Sequence, residues 1–410
     1  MSWQTIRGAA LGAALALTAG GAVAQTGGQT GEAAQIQAVL EAWLAERAPV
    51  EGVTGIAAYV SLGDPGPTIE AFAGVTGREP GDGPTDRDTL FHMGSTSKSF
   101  ASAVILKLEA AGKLALDDTI GDWLPEYPAW ADVNIRRLLN MSSGIPNYSE
   151  TAEMSRIWVE EPTRDLTPED LVAIVYPDGV DDLPVITGYH YSNTNFILAG
   201  MIAAKAGGAP YPDLVRSMVI DAEGLTSTFF DPGTYPADVV ARMAHGYFEN
   251  TACTDYQPKD CAVSWNEPIF GRDIRGDSLS WAQAAGGGVA SARDVDTWVR
   301  DIFAGRVVPP EQQAEWMQLI SQKTGEPIAD VTPDDPRGFS LGLAKAVLGP
   351  YGGQWLYQGT TLGYRTLYVW FEDEDLLITV QTNSQPDDDE NELNKVVIAI
   401  HDVLKAGGSI

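Results

Sequence analysis

Residues 91–114 read FHMGSTSKSFASAVILKLEAAGKL. From Ser95 onward the apolar residues Phe100, Val104, Ile105 and Leu108 recur at steps of three and four. That spacing predicts a buried helix, which Gly112 would end. At its head stands Ser95-Thr96-Ser97-Lys98. Positions i and i+3 of a helix share a face, so the ammonium of Lys98 can lie beside the hydroxyl of Ser95. A serine hydroxyl is a weak nucleophile until a base takes its proton, and a desolvated lysine can be that base. If Ser95 opens the helix, its own N–H faces outward and can hold a developing oxyanion. Four letters carry little alone, because a serine-rich helix start gives the same pattern.

Working upstream, Ile36, Val39, Leu40, Trp43 and Leu44 sit at helical spacing within 33–47. Two β-like runs follow at 56–62 and 68–75, separated by the turn-forming Gly63-Asp64-Pro65-Gly66. Downstream, about 113 to 285 reads as helical and loop-rich, and strands return at 338–346, 354–358, 364–371 and 376–382. An amphipathic helix over 392–404 closes the chain. This order predicts an α/β fold of the α+β type, an antiparallel sheet flanked by helices. N- and C-terminal segments (about 33–112 and 286–410) would build the sheet jointly, with an all-α subdomain (about 113–285) inserted between them. No repeat and no Pro/Ser-rich linker divides the interior, so a single domain over 25–410 is expected.

Two further pieces bear polar groups. Tyr191-Ser192-Asn193 precedes the apolar run 196–204. A phenol there could relay a proton to a leaving group, and an amide could hold Lys98 and a substrate carbonyl. Tyr357-Gln358-Gly359-Thr360 lies on a predicted strand. Glycine on a strand admits close approach of substrate backbone, and the Thr360 N–H could be a second oxyanion donor.

The order S-x-x-K, Y-x-N and then a strand motif ending in glycine resembles the superfamily of serine β-lactamases, penicillin-binding proteins and related esterases. The stretches GKLALDDTIGDWLPEY, VNIRRLLNMSSGIPNY and AAGGGVASARDVDTW resemble its branch of class C β-lactamases, D-alanyl-D-alanine carboxypeptidases and family VIII esterases. The resemblance spans roughly 35–405. It implies a β-lactamase/transpeptidase-like fold, a covalent acyl-enzyme and no cofactor. It also implies roles: Ser95 acylated, Lys98 and Tyr191 shuttling protons, Asn193 and the 357–360 strand contacting substrate, and the Ser95 and Thr360 N–H groups forming the oxyanion hole. The substrate would be a small-molecule or peptide ester or amide. One position departs. Relatives acting on β-lactams or D-alanyl peptides usually carry Lys or His where this chain has Tyr357, and that cation attracts a substrate carboxylate. The departure leans toward neutral esters, as in family VIII esterases. Arg365, farther along the motif, is the candidate to restore a cation and bind substrate. D-Ala-D-Ala carboxypeptidase, D-aminopeptidase, class C-like β-lactamase and a non-catalytic penicillin-recognising protein are the alternatives.

The N-terminus reads as a secretory signal: Arg7, an apolar stretch over 9–18, and Ala22-Val23-Ala24 as a cleavage site. The expected product is periplasmic or secreted, with no lipid or membrane anchor. In that compartment Cys253 and Cys261 are expected to pair. Cleavage after Ala24 removes one base and no acid, leaving 25 basic against 56 acidic residues, a net −31. Such a field opposes nucleic acid and anionic membranes. Gly276-Asp277-Ser278-Leu279 matches the GDSL pattern of another hydrolase class, but its serine lies far from the N-terminus and no D-x-x-H follows. His92, His190, His245 and His401 lack metal-site spacing, and Gly286-Gly287-Gly288, without a following Lys-Ser/Thr, predicts a tight turn beside the site.

Overall fold

A computed structural model describes residues 29–176, 187–249, 271–386 and 392–410. The signal-like segment and both cysteines lie outside these residues. Nine strands form the main sheet: β1 Gly55–Leu62, β2 Thr68–Gly74, β3 Leu319–Ser321, β4 Pro327–Ile328, β5 Arg337–Phe339, β6 Ala344–Val347, β7 Gly353–Thr360, β8 Arg365–Phe371 and β9 Leu376–Thr382. Their spatial order is β2-β1-β9-β8-β7-β6-β5-β3-β4, antiparallel at every pairing. β1 and β9 pair from Ile56 opposite Thr382 to Leu62 opposite Leu376. An N-terminal and a C-terminal strand are therefore neighbours, second and third from the β2 edge of one sheet.

Alternation along these strands feeds two cores, since successive side chains point to opposite faces. On one face Ile56, Ala58, Val60, Val369, Ile378 and Val380 pack with helix α1 (Gln29–Glu51) and the C-terminal helix. On the other, Ala57, Tyr357, Tyr368 and Leu377 join the larger core around the S-x-x-K helix. Each fully buried aliphatic side chain contributes roughly 1.5–3 kcal/mol. A one-residue slip would exchange the faces, so this pattern fixes the register.

Helix α2 (Lys98–Ala110) is entered through a 3-10 turn, Gly94–Ser97. Ser95 thus sits on a tighter turn just before the α-helix proper. Every residue from Gly94 to Leu106 is buried, because the turn lies against β7 and β8 and α2 packs on helix α3 (Asn193–Gly207) and neighbouring helices. α3 stops at Gly208, whose left-handed φ of 74° suits glycine. Helix α4 (Ala292–Phe303), capped by the Ser291 hydroxyl, packs across β1 and β9. The closing helix is α5 (Leu393–Gly407).

The expected strand over 338–346 is instead the hairpin β5–β6, turning at Gly342 with φ of 78°. Tyr364 leads a turn into β8 and donates through its hydroxyl to Ala244 O at 2.7 Å. The helical middle also holds short strands at Thr228–Phe229 and Tyr247–Glu249, which pair outside the main sheet.

Candidate active site

The turn bearing Ser95 is pressed against the end of β7 by two glycines. A Cβ at Gly359 would stand 1.9 Å from Met93 O and 2.8 Å from Ser95 N, and one at Gly94 would stand 2.6 Å from Thr360 N. Gly94 also takes φ of 53°, a conformation that disfavours any side chain. The close crossing brings the backbone around Ser95 N and Thr360 N together, as an oxyanion pocket requires. The glycine run 286–288 closes the opposite flank: Met93 N donates to Gly288 O at 2.8 Å, and Gly288 N to Ser97 Oγ at 3.1 Å.

Lys98 is fully buried at the head of α2. Its Nζ stands 3.0 Å from Ser95 Oγ, and donates to Asn193 Oδ1 and to Ala285 O, each at 2.7 Å. All these partners are formally neutral. Burial therefore holds the Lys98 amine well below the usual lysine range. Asn193 is oriented in turn: its Nδ2 donates to Ser149 Oγ at 2.8 Å and its backbone N–H to Asn147 Oδ1 at 3.0 Å. These bonds set the carbonyl end of the amide toward Lys98.

Tyr191, just before α3, places its hydroxyl 2.7 Å from Ser95 Oγ. Burial pushes the Tyr191 phenol up to about 12, while hydrogen bonds from Ser95 and Tyr357 pull the other way. The Tyr357 hydroxyl donates to the Tyr191 hydroxyl at 3.2 Å. Tyr191 and Tyr357 also form part of the wall of a cleft of about 360 Å³ that runs along β5, β6 and β7. The cleft lies where β6 leaves β7, since the pairing of these strands ends at Lys345 opposite Trp355.

The sequence profile of the Beta-lactamase family matches residues 4–402. The chain belongs to the Beta-lactamase family. A penicillin-binding protein of Bacillus subtilis (strain 168) is 28% identical over 196 residues, 47% of this chain and 42% of that protein. Esterase EstB of Burkholderia gladioli is 35% identical over 119 residues, 28% of this chain and 29% of the esterase. The chain thus spans less than half the length of these sequence relatives. Among solved structures, a D-stereospecific amidohydrolase from Streptomyces sp. superposes with a TM-score of 0.69 at 27% identity, covering 89% of this chain and 97% of that one. The antiparallel sheet with its helical covering is the fold of this Beta-lactamase family.

Arg365 is turned away from the cleft and from Ser95. Its side chain is 1% exposed and lies on the α1 side of the sheet, donating from Nε to Ser384 O at 2.9 Å and from Nη2 to Ser384 Oγ at 3.1 Å. It is paired with Glu51, which also takes Arg47 Nε at 2.9 Å. The reason is strand alternation combined with α1: the carboxylate of Glu51 is buried there and needs a cation. The expectation that Arg365 contacts substrate is therefore corrected. Two cations line the cleft, Arg337 on β5 and Lys345 on β6, the ammonium of Lys345 being held by Asp330 at 3.0 Å and Glu372 at 3.5 Å.

Other contributors were invisible in the sequence. Asn147 and Ala285 lie in stretches that carry the family resemblance, but neither they nor Ser149 could be given a role from sequence, because Ala285 acts through its backbone carbonyl and Asn147 and Ser149 act from a loop distant in the chain from Lys98. Tyr189 and Phe339, also in the cleft wall, read as ordinary core residues. His92 is buried, and desolvation pushes its imidazole down to about 3. It is therefore neutral, with Nδ1 3.2 Å from Thr361 Oγ1. Ser278 of the GDSL-like stretch donates to Asp165 Oδ1 at 2.6 Å and is 3% exposed, a structural placement. Among the described residues no group of three or more His, Cys, Asp or Glu side chains forms a metal-binding cluster, and no helix is long and apolar enough to cross a membrane.

Proposed function

We propose that this member of the Beta-lactamase family is an exported serine hydrolase that cleaves a small ester or amide through a covalent acyl-enzyme, with esterase-like specificity. The observation that carries the reading is the contact of Ser95 Oγ with both Lys98 Nζ at 3.0 Å and Tyr191 OH at 2.7 Å. The two partners are driven apart, the amine down and the phenol up, and such divergence assigns base and acid. A neutral Nζ has two hydrogens and one lone pair. Asn193 Oδ1 and Ala285 O account for the hydrogens, so the lone pair is left to face the Ser95 hydroxyl.

In the reaction Lys98 takes the Ser95 proton as Oγ bonds to the substrate carbonyl carbon. The oxyanion is held by the Ser95 and Thr360 N–H groups. Collapse breaks the bond to the leaving group, which receives a proton from Tyr191, and the Lys98 ammonium then gives its proton to the Tyr191 phenolate, restoring both groups. Water then repeats the sequence, with Lys98 as base, and frees Ser95. Tyr357 supports neutral substrates, because a phenol gives a carboxylate a hydrogen bond but no countercharge.

A second reading, amide hydrolysis, is favoured by the Streptomyces amidohydrolase, which is alike over 97% of its length. A panel of p-nitrophenyl esters, nitrocefin and D-amino-acid amides, run with wild type and Ser95→Ala, tests both. Ester turnover that disappears in Ser95→Ala supports the proposal. D-amino-acid amides as the best substrates would support the second reading, and turnover retained in Ser95→Ala would refute both.

A further inference from the structure

We infer that the cleft beside Tyr357 is a leaving-group subsite for an aromatic ring; this rests on the assignment of Tyr191 as the acid that protonates the leaving group. The cleft wall includes four rings, Tyr189, Tyr191, Phe339 and Tyr357, with Leu356 beside them. Phe339 lies between two of these rings, its centroid 5.8 Å from that of Tyr189 and 5.8 Å from that of Tyr357, the latter pair edge-on at 80°. Offset and edge-on pairs of this kind are the arrangement that accepts a further ring favourably. The volume, about 360 Å³, lies in the range of small-molecule sites and exceeds what a short alkyl group would fill.

Geometry orients the occupant. Tyr191 OH touches Ser95 Oγ at 2.7 Å, and its ring forms part of the cleft wall. The atom that takes the Tyr191 proton is the leaving oxygen or nitrogen. The group attached to that atom therefore enters the cleft that Tyr191 borders. The sequence already put an uncharged phenol at position 357 in place of the usual cation; the structure adds Tyr189 and Phe339 beside it as an aromatic wall. The substrate class that fits is an ester or amide of an arylalkyl alcohol or amine.

Acetate esters of benzyl alcohol, cyclohexylmethanol and ethanol share one acyl group, so kcat/KM differences among them report the leaving-group side. Burial of a ring against aromatic neighbours predicts benzyl acetate at least about tenfold above ethyl acetate and about threefold above the cyclohexylmethyl ester. Tyr189→Leu and Phe339→Leu should each cut the benzyl-to-ethyl ratio at least about threefold. Two variants guard against one that fails to fold. Equal kcat/KM for the three esters would overturn the subsite while leaving the hydrolase intact. Absence of turnover for every ester would instead refute the hydrolase reading. Calorimetry on folded Ser95→Ala separates the two, with N-benzylacetamide and N-ethylacetamide as probes. Benzyl binding at least about tenfold tighter supports the subsite, and equal affinity overturns it.

Discussion

The hydroxyl of Tyr357 donates to the hydroxyl of Tyr191 across 3.2 Å, and Tyr191 in turn lies 2.7 Å from Ser95 Oγ. Position 357 therefore belongs to the proton-handling chain as well as to the cleft wall. A phenol in that place stabilises the Tyr191 phenolate by one neutral hydrogen bond, without the countercharge a cation would add. Tyr191 keeps its proton near neutral pH, which in the proposed mechanism leaves the role of base to Lys98.

Replacing Tyr357 by Lys or His should turn specificity toward anionic substrates. A carboxylate meeting an ammonium gains roughly 1.5–3 kcal/mol, against about 1 kcal/mol from a phenol. Wild type should cleave p-nitrophenyl butyrate at least about tenfold more efficiently than nitrocefin, and Tyr357→Lys should lower that ratio by a similar factor. Steady-state kcat/KM values on the two substrates check this. Equal efficiency in wild type, with nitrocefin turnover lost in Arg337→Gln, would give the carboxylate-binding role to Arg337.

The buried Lys98 amine gives stability a pH dependence with a definite sign. Its folded-state value lies below its unfolded one, so between the two the unfolded chain binds the extra proton. Stability therefore rises with pH across the window from the depressed value up to the ordinary lysine value near 10.5. The penalty is constant below that window and absent above it. Lys98→Met, which cannot titrate, should gain most relative to wild type at low pH, and the difference should shrink steadily toward pH 10.5. Urea melts of both proteins across pH, with Lys98→Arg assayed beside them and nearly inactive, check the assignment. A stability difference independent of pH would show that Lys98 is charged when folded.

Much of this was legible in the sequence, and the reasons are local. S-x-x-K on a helix forces Ser95 and Lys98 onto one face whatever surrounds them. Short, nearly continuous apolar runs identified β1, β8 and β9, because each is buried on both faces. The hairpin at Gly342 escaped notice because β5 and β6 are three and four residues long, too short to show a period. Arg365 was misplaced for a different reason. Strand alternation says that it faces opposite to its neighbours, but only the packing of α1 reveals that Glu51 waits on that side. Arg337 and Phe339 stayed silent because a cleft formed where two strands diverge leaves no pattern in either strand.

The Arg365–Glu51 pair makes that correction testable. Both side chains are buried, and removing one partner of such a pair usually costs about 3–5 kcal/mol. Glu51 keeps Arg47 at 2.9 Å, so Arg365→Met should lose about 3 kcal/mol, at the low end of that range. Chemical denaturation measures the loss. The kcat/KM ratio between neutral esters and nitrocefin should stay within about twofold of wild type, since the residue lies on the far side of the sheet from the cleft. A variant of unchanged stability and altered ratio would return Arg365 to the substrate site.

The central claim is that Ser95 is the nucleophile, and covalent trapping tests it most directly. A fluorophosphonate should phosphonylate one serine, its phosphorus bonding to Oγ as fluoride departs. Peptide mass spectrometry of the trapped protein should place the adduct on Ser95, with none on folded Ser95→Ala and a sharply slower reaction in Lys98→Arg. An adduct on another residue, or equal labelling of Ser95→Ala, would contradict the account.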